Sequence, residues 1–399
     1  MTASPPARVR KVLVLTSHHP SRRRPHQAMY GYYAYQALAR HCALRFVAPH
    51  PWWSQPWPPR ELLRAPTERW GAIDVELPAW WSVPAVPPLH ALGMGASLAR
   101  RIGAIRRAFP FDAILTAWAY PDAVAAALLA ARERVPLVAT VLGSDLHELP
   151  RRFGLGFQIR RGLRRARRVV AVSEALARAA AELGVPRERI VVQHNGVDGE
   201  LFTPRDRCAA RAALGLAPDA RLVGYVGRLA PEKGPDVLVE AVGVLARRGE
   251  RAPDVVVVGG GALEARLRAR AAALRLDRRV RFVGPKAHAE LPLWLSALDA
   301  LCLPSRREGC PNVVLEALAC GRPVVASRVG GVPELLREEN GVLVAPERPA
   351  ALADGLARAL ERRWDAAALR ATVPSLSWDA VARTYRDAIE AAVADAAAG

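Results

Sequence analysis

The sequence predicts an α/β chain built from two doubly wound domains. Three observations lead there. The chain has 399 residues, more than one ordinary core accommodates, so two domains of roughly 200 residues are expected. Short apolar, β-branched runs alternate with long Ala/Leu/Arg helical patterns in two successive series. The periodicity lapses once, in the polar stretch HNGVDGELFTPRD (194–206).

In the first series the expected strands are KVLVLT (11–16), ALRFVA (43–48), DAILTA (112–117), LVATVL (137–142), RVVAV (168–172) and RIVVQ (189–193). The second series is RLVGYV (221–226), DVVVVG (254–259), RVRFVG (279–284), DALCLP (299–304), PVVAS (323–327) and GVLVA (341–345). Continuous apolar strands separated by helices mean parallel sheets covered on both faces. Residues 49–88 break the pattern, with six tryptophans (Trp52, Trp53, Trp57, Trp70, Trp80, Trp81) among many prolines. Such a stretch reads either as a packed excursion whose indoles cover the domain or as an acceptor or membrane-interface element.

Composition bounds the function. The 57 basic against 38 acidic residues give +19, carried almost wholly by arginine, since Lys11, Lys233 and Lys286 are the only lysines. Solvated arginine faces and affinity for anionic partners both fit that excess. The five cysteines (Cys42, Cys208, Cys302, Cys310, Cys320) show no metal-type spacing, and a reduced cytoplasmic setting is expected. No window of 18 uninterrupted apolar residues occurs, and MTASPPARVRK runs straight into VLVLT. A soluble protein is expected, at most peripheral to the inner face of a membrane.

In open α/β sheets ligands bind at the carboxyl ends of strands, so the turns after strands carry the chemistry. After GYV the turn GRLAPEKG contains Gly227 and holds Arg228 and Lys233 five residues apart, a fork and a point charge suited to a diphosphate. After DVVVV comes GGGALEARL, where Glu264 stands in place of the last glycine of a dinucleotide fingerprint. No G-x-x-x-x-G-K-[ST] occurs either, so Gly259, Gly260 and Gly261 are read as a close backbone approach to some ligand.

The turn after DALCLP leads into EGCPNVVLEALACG. Asn312 is the expected N-cap of a helix ending at Gly321. The start of that helix is an anion site, with Glu308 in the loop before it and Glu316 about one turn inside. Two carboxylates flanking a bound diphosphate suit the hydroxyls of a nucleotide sugar, ribose on one side and hexose on the other.

EGCPNVVLEALACGRPVVAS, with GRLAPEKG upstream and HNGVD before it, strongly resembles the retaining glycosyltransferase family 4, whose fold is the two-domain GT-B arrangement. The likeness runs over almost the whole chain. KVLVLTSHHP and TVLGSDLHELPRR resemble more loosely the teichuronic-acid and exopolysaccharide branch.

The resemblance implies that Glu316 binds the donor ribose and Glu308 the donor sugar, with Arg228 and Lys233 on the diphosphate. The amides of Pro311, Asn312 and Val313, beside Cys310, would complete the cradle. Asp145 in GSD would face the reaction centre across a cleft. Many relatives carry a histidine where Leu142 stands here; His147 lies close by. The N-terminal glycine loop is thin, with Gly31 alone in HQAMYGYY.

The function so implied is retaining transfer of a hexose from a nucleotide-diphosphate sugar, with UDP favoured, to an acceptor hydroxyl in cell-surface polysaccharide or glycolipid synthesis. No cofactor is expected beyond the donor as co-substrate, and with no Asp-x-Asp pair at a strand end no metal site is expected. The acceptor would be a glycan or lipid-linked molecule, with peripheral contact to an anionic membrane. A nucleotide-sugar epimerase of the same fold is the alternative. A nucleic-acid-binding protein is not expected, for want of a base-reading helix or known module.

The fold also implies that the last helix crosses back onto the first domain. Trp378, Val381, Tyr385 and Ile389 lie at helical spacing in SWDAVARTYRDAIEAAVADA. The expected domains are therefore 1–197 plus 376–399, on the acceptor side, and 198–375, on the donor side.

Overall fold

The computed structural model describes residues 9–22, 28–54 and 64–398. The chain divides into two compact units, Met1–Asn195 with Trp378–Gly399, and Gly196–Ser377.

The first unit holds strands β1 (Lys11–Leu15), β2 (Ala43–Val47), β3 (His50–Pro51), β4 (Thr67–Trp70), β5 (Ile73–Glu76), β6 (Ala79–Trp80), β7 (Ala113–Ala117), β8 (Leu137–Val141), β9 (Arg168–Ala171) and β10 (Ile190–Val192). Eight form one sheet in the order β10-β9-β8-β7-β1-β2-β5-β4, parallel except for the β4–β5 hairpin. The strands are apolar because helices cover both faces: Val12, Val14, Leu115 and Val138 are fully buried.

The tryptophan-rich segment is described at 49–54 and 64–88. It supplies β4 and β5 at the sheet edge, while β3 and β6 pair as a separate ladder. Trp80 is buried and Trp70 packs against the core, but Trp52 and Trp81 stack on each other at the surface, 5.4 Å between centroids. Trp57 lies outside the described residues.

The second unit holds β11 (Leu222–Val226), β12 (Asp254–Val258), β13 (Val280–Gly284), β14 (Ala300–Leu303), β15 (Val324–Ser327) and β16 (Gly341–Val344). They form an all-parallel sheet in the order β13-β12-β11-β14-β15-β16. Asp206 starts the helix Arg207–Ala213 by accepting the amide of Ala209 at 2.6 Å. Among the parallel strands of each sheet the order reverses once, between β1 and β7 in the first unit and between β11 and β14 in the second. Those reversals are the switch points where a doubly wound sheet opens a crevice.

The last helix, Trp378–Ala398, belongs to the first unit. Val381, Tyr385, Ile389 and Ala392 join the core formed by Val12, Val14, Tyr35 and Leu115, and Trp378 stacks on Tyr33 at 5.8 Å. Asp379 accepts from His41 at 2.8 Å, and Arg10 pairs with Glu390 at 2.7 Å. None of the described helices is long and apolar enough to cross a membrane.

Because Ile389 is completely buried, Ile389→Ala should cost about 2–5 kcal/mol. Denaturant unfolding of the full chain checks this. An unchanged midpoint would mean that the helix contributes no core.

Candidate active site

In the second unit, two loops meet at the switch point. The loop after β11 carries Gly227, Arg228 and Lys233; the loop after β14 carries Ser305, Glu308 and Cys310. The Glu308 carboxylate is buried, and burial of a charge requires a partner. Lys233 Nζ donates to both of its oxygens, at 2.8 and 2.9 Å, and Ser305 Oγ donates to Oε1 at 2.7 Å. Arg306 ties the same loops again. Its backbone amide reaches the Glu232 carbonyl at 2.9 Å, and its guanidinium forks onto Asp236 at 3.0 and 2.8 Å.

Arg228 lies at the rim, with most of its side chain exposed, and donates to Glu232 at 2.7 Å. Tyr225, buried in β11, donates to the Arg228 carbonyl at 2.6 Å and so shapes the turn.

The expected helix forms over Asn312–Ala319, with Pro311 at the cap and Asn312 as its first residue. Proline has no N–H, so Pro311 contributes no donor to an anion cradle. The donors of the first turn begin with Asn312 and Val313. Glu316 is buried on this helix and accepts from His288 Nε2 at 3.0 Å. His288 in turn packs edge-on against the buried Phe202, 5.0 Å between centroids.

Gly259 and Gly330 are among the glycines of these loops that have no room for a side chain. A Cβ on Gly259 would collide with the carbonyl of Gly227, and one on Gly330 with the carbonyl of Glu308. The close approach made by Gly259 is thus to the neighbouring strand-end loop. Gly260 sits beside Pro285, with 3.6 Å from its Cβ position to the ring.

The first unit uses the same device at its own switch point. Asp122, after β7, is completely buried and accepts from the backbone amide and the hydroxyl of Ser17, after β1, the latter at 2.8 Å. Burial pushes its carboxyl up to about 7. Asp145 is also fully buried and accepts from the amides of Ala119, Leu142 and Gly143 at 3.1, 3.1 and 2.6 Å. Burial raises its carboxyl to about 6, and in this structure the side chain organises the turn. His18 stacks on Trp118 at 4.2 Å, and desolvation lowers its imidazole to about 4. His147 ends the short helix Ser144–His147, and Gly31 lies in the first turn of Met29–Leu38, near Tyr35.

Sequence reasoning passed over His288, Ser305, Gly330, Ser17, His18 and Asp122. Asp122 carried a usable signal, since it follows a strand at the sheet reversal. His288 carried none, being 28 positions from Glu316 with no local pattern.

These features define a class: two doubly wound units, each with a buried carboxylate held across its switch point, the second adding a helix start and a second buried carboxylate, Glu316. Among solved structures, HepE of Anabaena in complex with UDP has a TM-score of 0.67 at 22% identity, covering 98% of this chain and 99% of that one. Sucrose-phosphate synthase from Thermosynechococcus elongatus has a TM-score of 0.75 at 23% identity, covering 96% and 100%. The fold is GT-B.

Residues 206–373 match the family described as Glycosyl transferases group 1, and residues 68–201 match Glycosyltransferase Family 4. The first match lies within the second unit, and the second lies almost wholly within the first unit. D-inositol 3-phosphate glycosyltransferase of Actinosynnema mirum is 43% identical over 179 residues, 43% of each chain. The protein of that name from Saccharomonospora viridis is 40% identical over 213 residues, 49% of each. The chain spans about half or less of the length of these curated relatives.

The raised carboxyl of Asp122 has a consequence for stability. Its ordinary value is 3.8, so protonation favours the folded state, and that contribution is lost as pH rises from about 4 through about 7. Asp122→Asn should therefore gain in melting temperature relative to the parent as pH is raised from about 5 to about 8. A difference independent of pH would show that Asp122 is ionised throughout.

Proposed function

We propose that the protein transfers a hexose from a UDP-sugar to an acceptor hydroxyl, with retention of anomeric configuration and without a metal ion. The observation that carries the reading is the arrangement around Asn312–Ala319: Glu316 held by His288 inside the helix, Glu308 held by Lys233 before it, and a helix start between them. A nucleoside diphosphate seated there meets first-turn amides and the positive end of the helix. Glu316 accepts hydrogen bonds from the ribose hydroxyls, and Glu308 orients the transferred sugar.

Departure of the diphosphate is the step that needs help. Lys233 is preorganised by Glu308, one hydrogen bond of 2.8 Å from the carboxylate that positions the sugar. Arg228 is exposed and swings from Glu232 onto the phosphates. Fixed positive charge placed where negative charge develops lowers the barrier without reorganisation. The acceptor attacks from the face the diphosphate leaves, and its proton passes to the leaving phosphate oxygen.

UDP is favoured because HepE was solved with UDP and with UDP-glucose. The acceptor belongs to cell-surface polysaccharide or glycolipid synthesis in this proposal. Inositol 3-phosphate, which names the curated relatives, is the first small acceptor to try.

The test is a panel of UDP-sugars and acceptors followed by proton NMR in the presence of EDTA. UDP release that needs an acceptor, with an α-linked product from an α-linked donor, is expected. Conversion of donor to its epimer without acceptor would overturn transfer. Loss of activity on chelation, restored by magnesium or manganese, would overturn metal independence.

A further inference from the structure

The first unit exposes large apolar side chains on two segments that touch. Trp81, Val83, Val86, Leu89 and Leu92 are exposed along the approach to and start of the helix His90–Ala108. Phe153 and Phe157, 96% and 72% exposed, stand at the start of the helix Leu155–Arg165. The segments abut at Pro88, whose carbonyl accepts from Gln158 at 2.9 Å and whose ring would lie 3.0 Å from a Cβ on Gly154. Exposed phenylalanines of this size on a surface without a partner are costly in water.

Arginines flank the phenylalanines. Residues 149–173 contain eight arginines and no acidic residue. Arg151, Arg152, Arg160, Arg161, Arg164 and Arg165 are exposed, and none of the six pairs with a carboxylate among the described residues. On Leu155–Arg165 the inner face is Leu155, Ile159 and Leu163, all buried, so Phe157, Arg160, Arg161, Arg164 and Arg165 occupy the outer face. Apolar side chains beside uncompensated guanidinium groups match one chemistry, a hydrocarbon boundary under anionic head groups. A nucleic acid would use the arginines but has no place for valine and leucine side chains.

We propose that this face is a peripheral docking surface for an anionic phospholipid bilayer, with Phe153 and Phe157 entering the acyl boundary and the arginines on the phosphates. It does not rest on the sugar-transfer reading. Binding is tested with the full chain and vesicles, without donor or acceptor.

The experiment is co-sedimentation with vesicles of phosphatidylcholine alone or mixed equally with phosphatidylglycerol. Partitioning onto the mixed vesicles should exceed that onto phosphatidylcholine at least tenfold, and should fall as salt is raised. Phe153→Ser with Phe157→Ser should lower it roughly tenfold or more, and Arg160→Gln with Arg161→Gln should remove much of the anionic preference. All four side chains are exposed, so melting temperatures should be unchanged. Equal binding to both vesicle types, or no effect of the phenylalanine variant, overturns the proposal. A dimer in light scattering that the phenylalanine variant dissolves assigns the face to a second copy and also overturns it. So does salt-sensitive retention of single-stranded DNA without vesicle binding.

Discussion

Everything at the candidate site depends on a single requirement: a carboxylate buried at a sheet reversal must be met by a donor from the other strand. Glu308 is that carboxylate in the second unit; Lys233 meets it from the other strand, and Ser305 adds a bond from its own loop. The bond joins loops after β11 and β14, neighbours in space but 75 residues apart in sequence. Removing Lys233 alone would leave Glu308 charged and buried, a loss on the order of 3–5 kcal/mol. Asp122 and Ser17 repeat the device in the first unit, with a neutral donor. There the carboxyl responds by holding its proton to higher pH.

From that pair the rest of the candidate site follows. With Glu308 fixed, the chain can turn through Cys310 and Pro311 into the helix that presents Glu316. Gly330, after β15, closes on the Glu308 carbonyl, and Gly259 lets the next loop press on Gly227. The glycines therefore serve packing between loops, and the loops hold the charges. In the proposed function Lys233 has a double duty, neutralising Glu308 before a donor arrives and a diphosphate afterwards.

Much of this was legible in the sequence. The twelve main strands announce themselves as apolar runs, because a strand covered on both faces has no reason to alternate. EGCPNVVLEALACG was legible because the site is local there: loop, helix start and both glutamates lie within one segment. What escaped has a common cause. His288 reaches Glu316, and Ser17 reaches Asp122, across distances in sequence that no local pattern spans. The β4–β5 hairpin was hidden because TERW and IDVE are short, polar edge strands in a segment dominated by tryptophan and proline. Asn312 read as a cap by residue type, whereas the proline before it fixes the entry.

The claim at the centre of this account is that Glu316, steadied by His288 within the helix Asn312–Ala319, receives the ribose of a nucleoside diphosphate. Isothermal titration calorimetry of UDP with the parent protein and Glu316→Gln tests it directly. The substitution keeps the shape and removes the charge. A charged hydrogen bond to the ribose is worth about 1.5–3 kcal/mol, so the variant should bind roughly ten- to a hundredfold more weakly. Equal affinity for UDP in the two proteins would contradict the account.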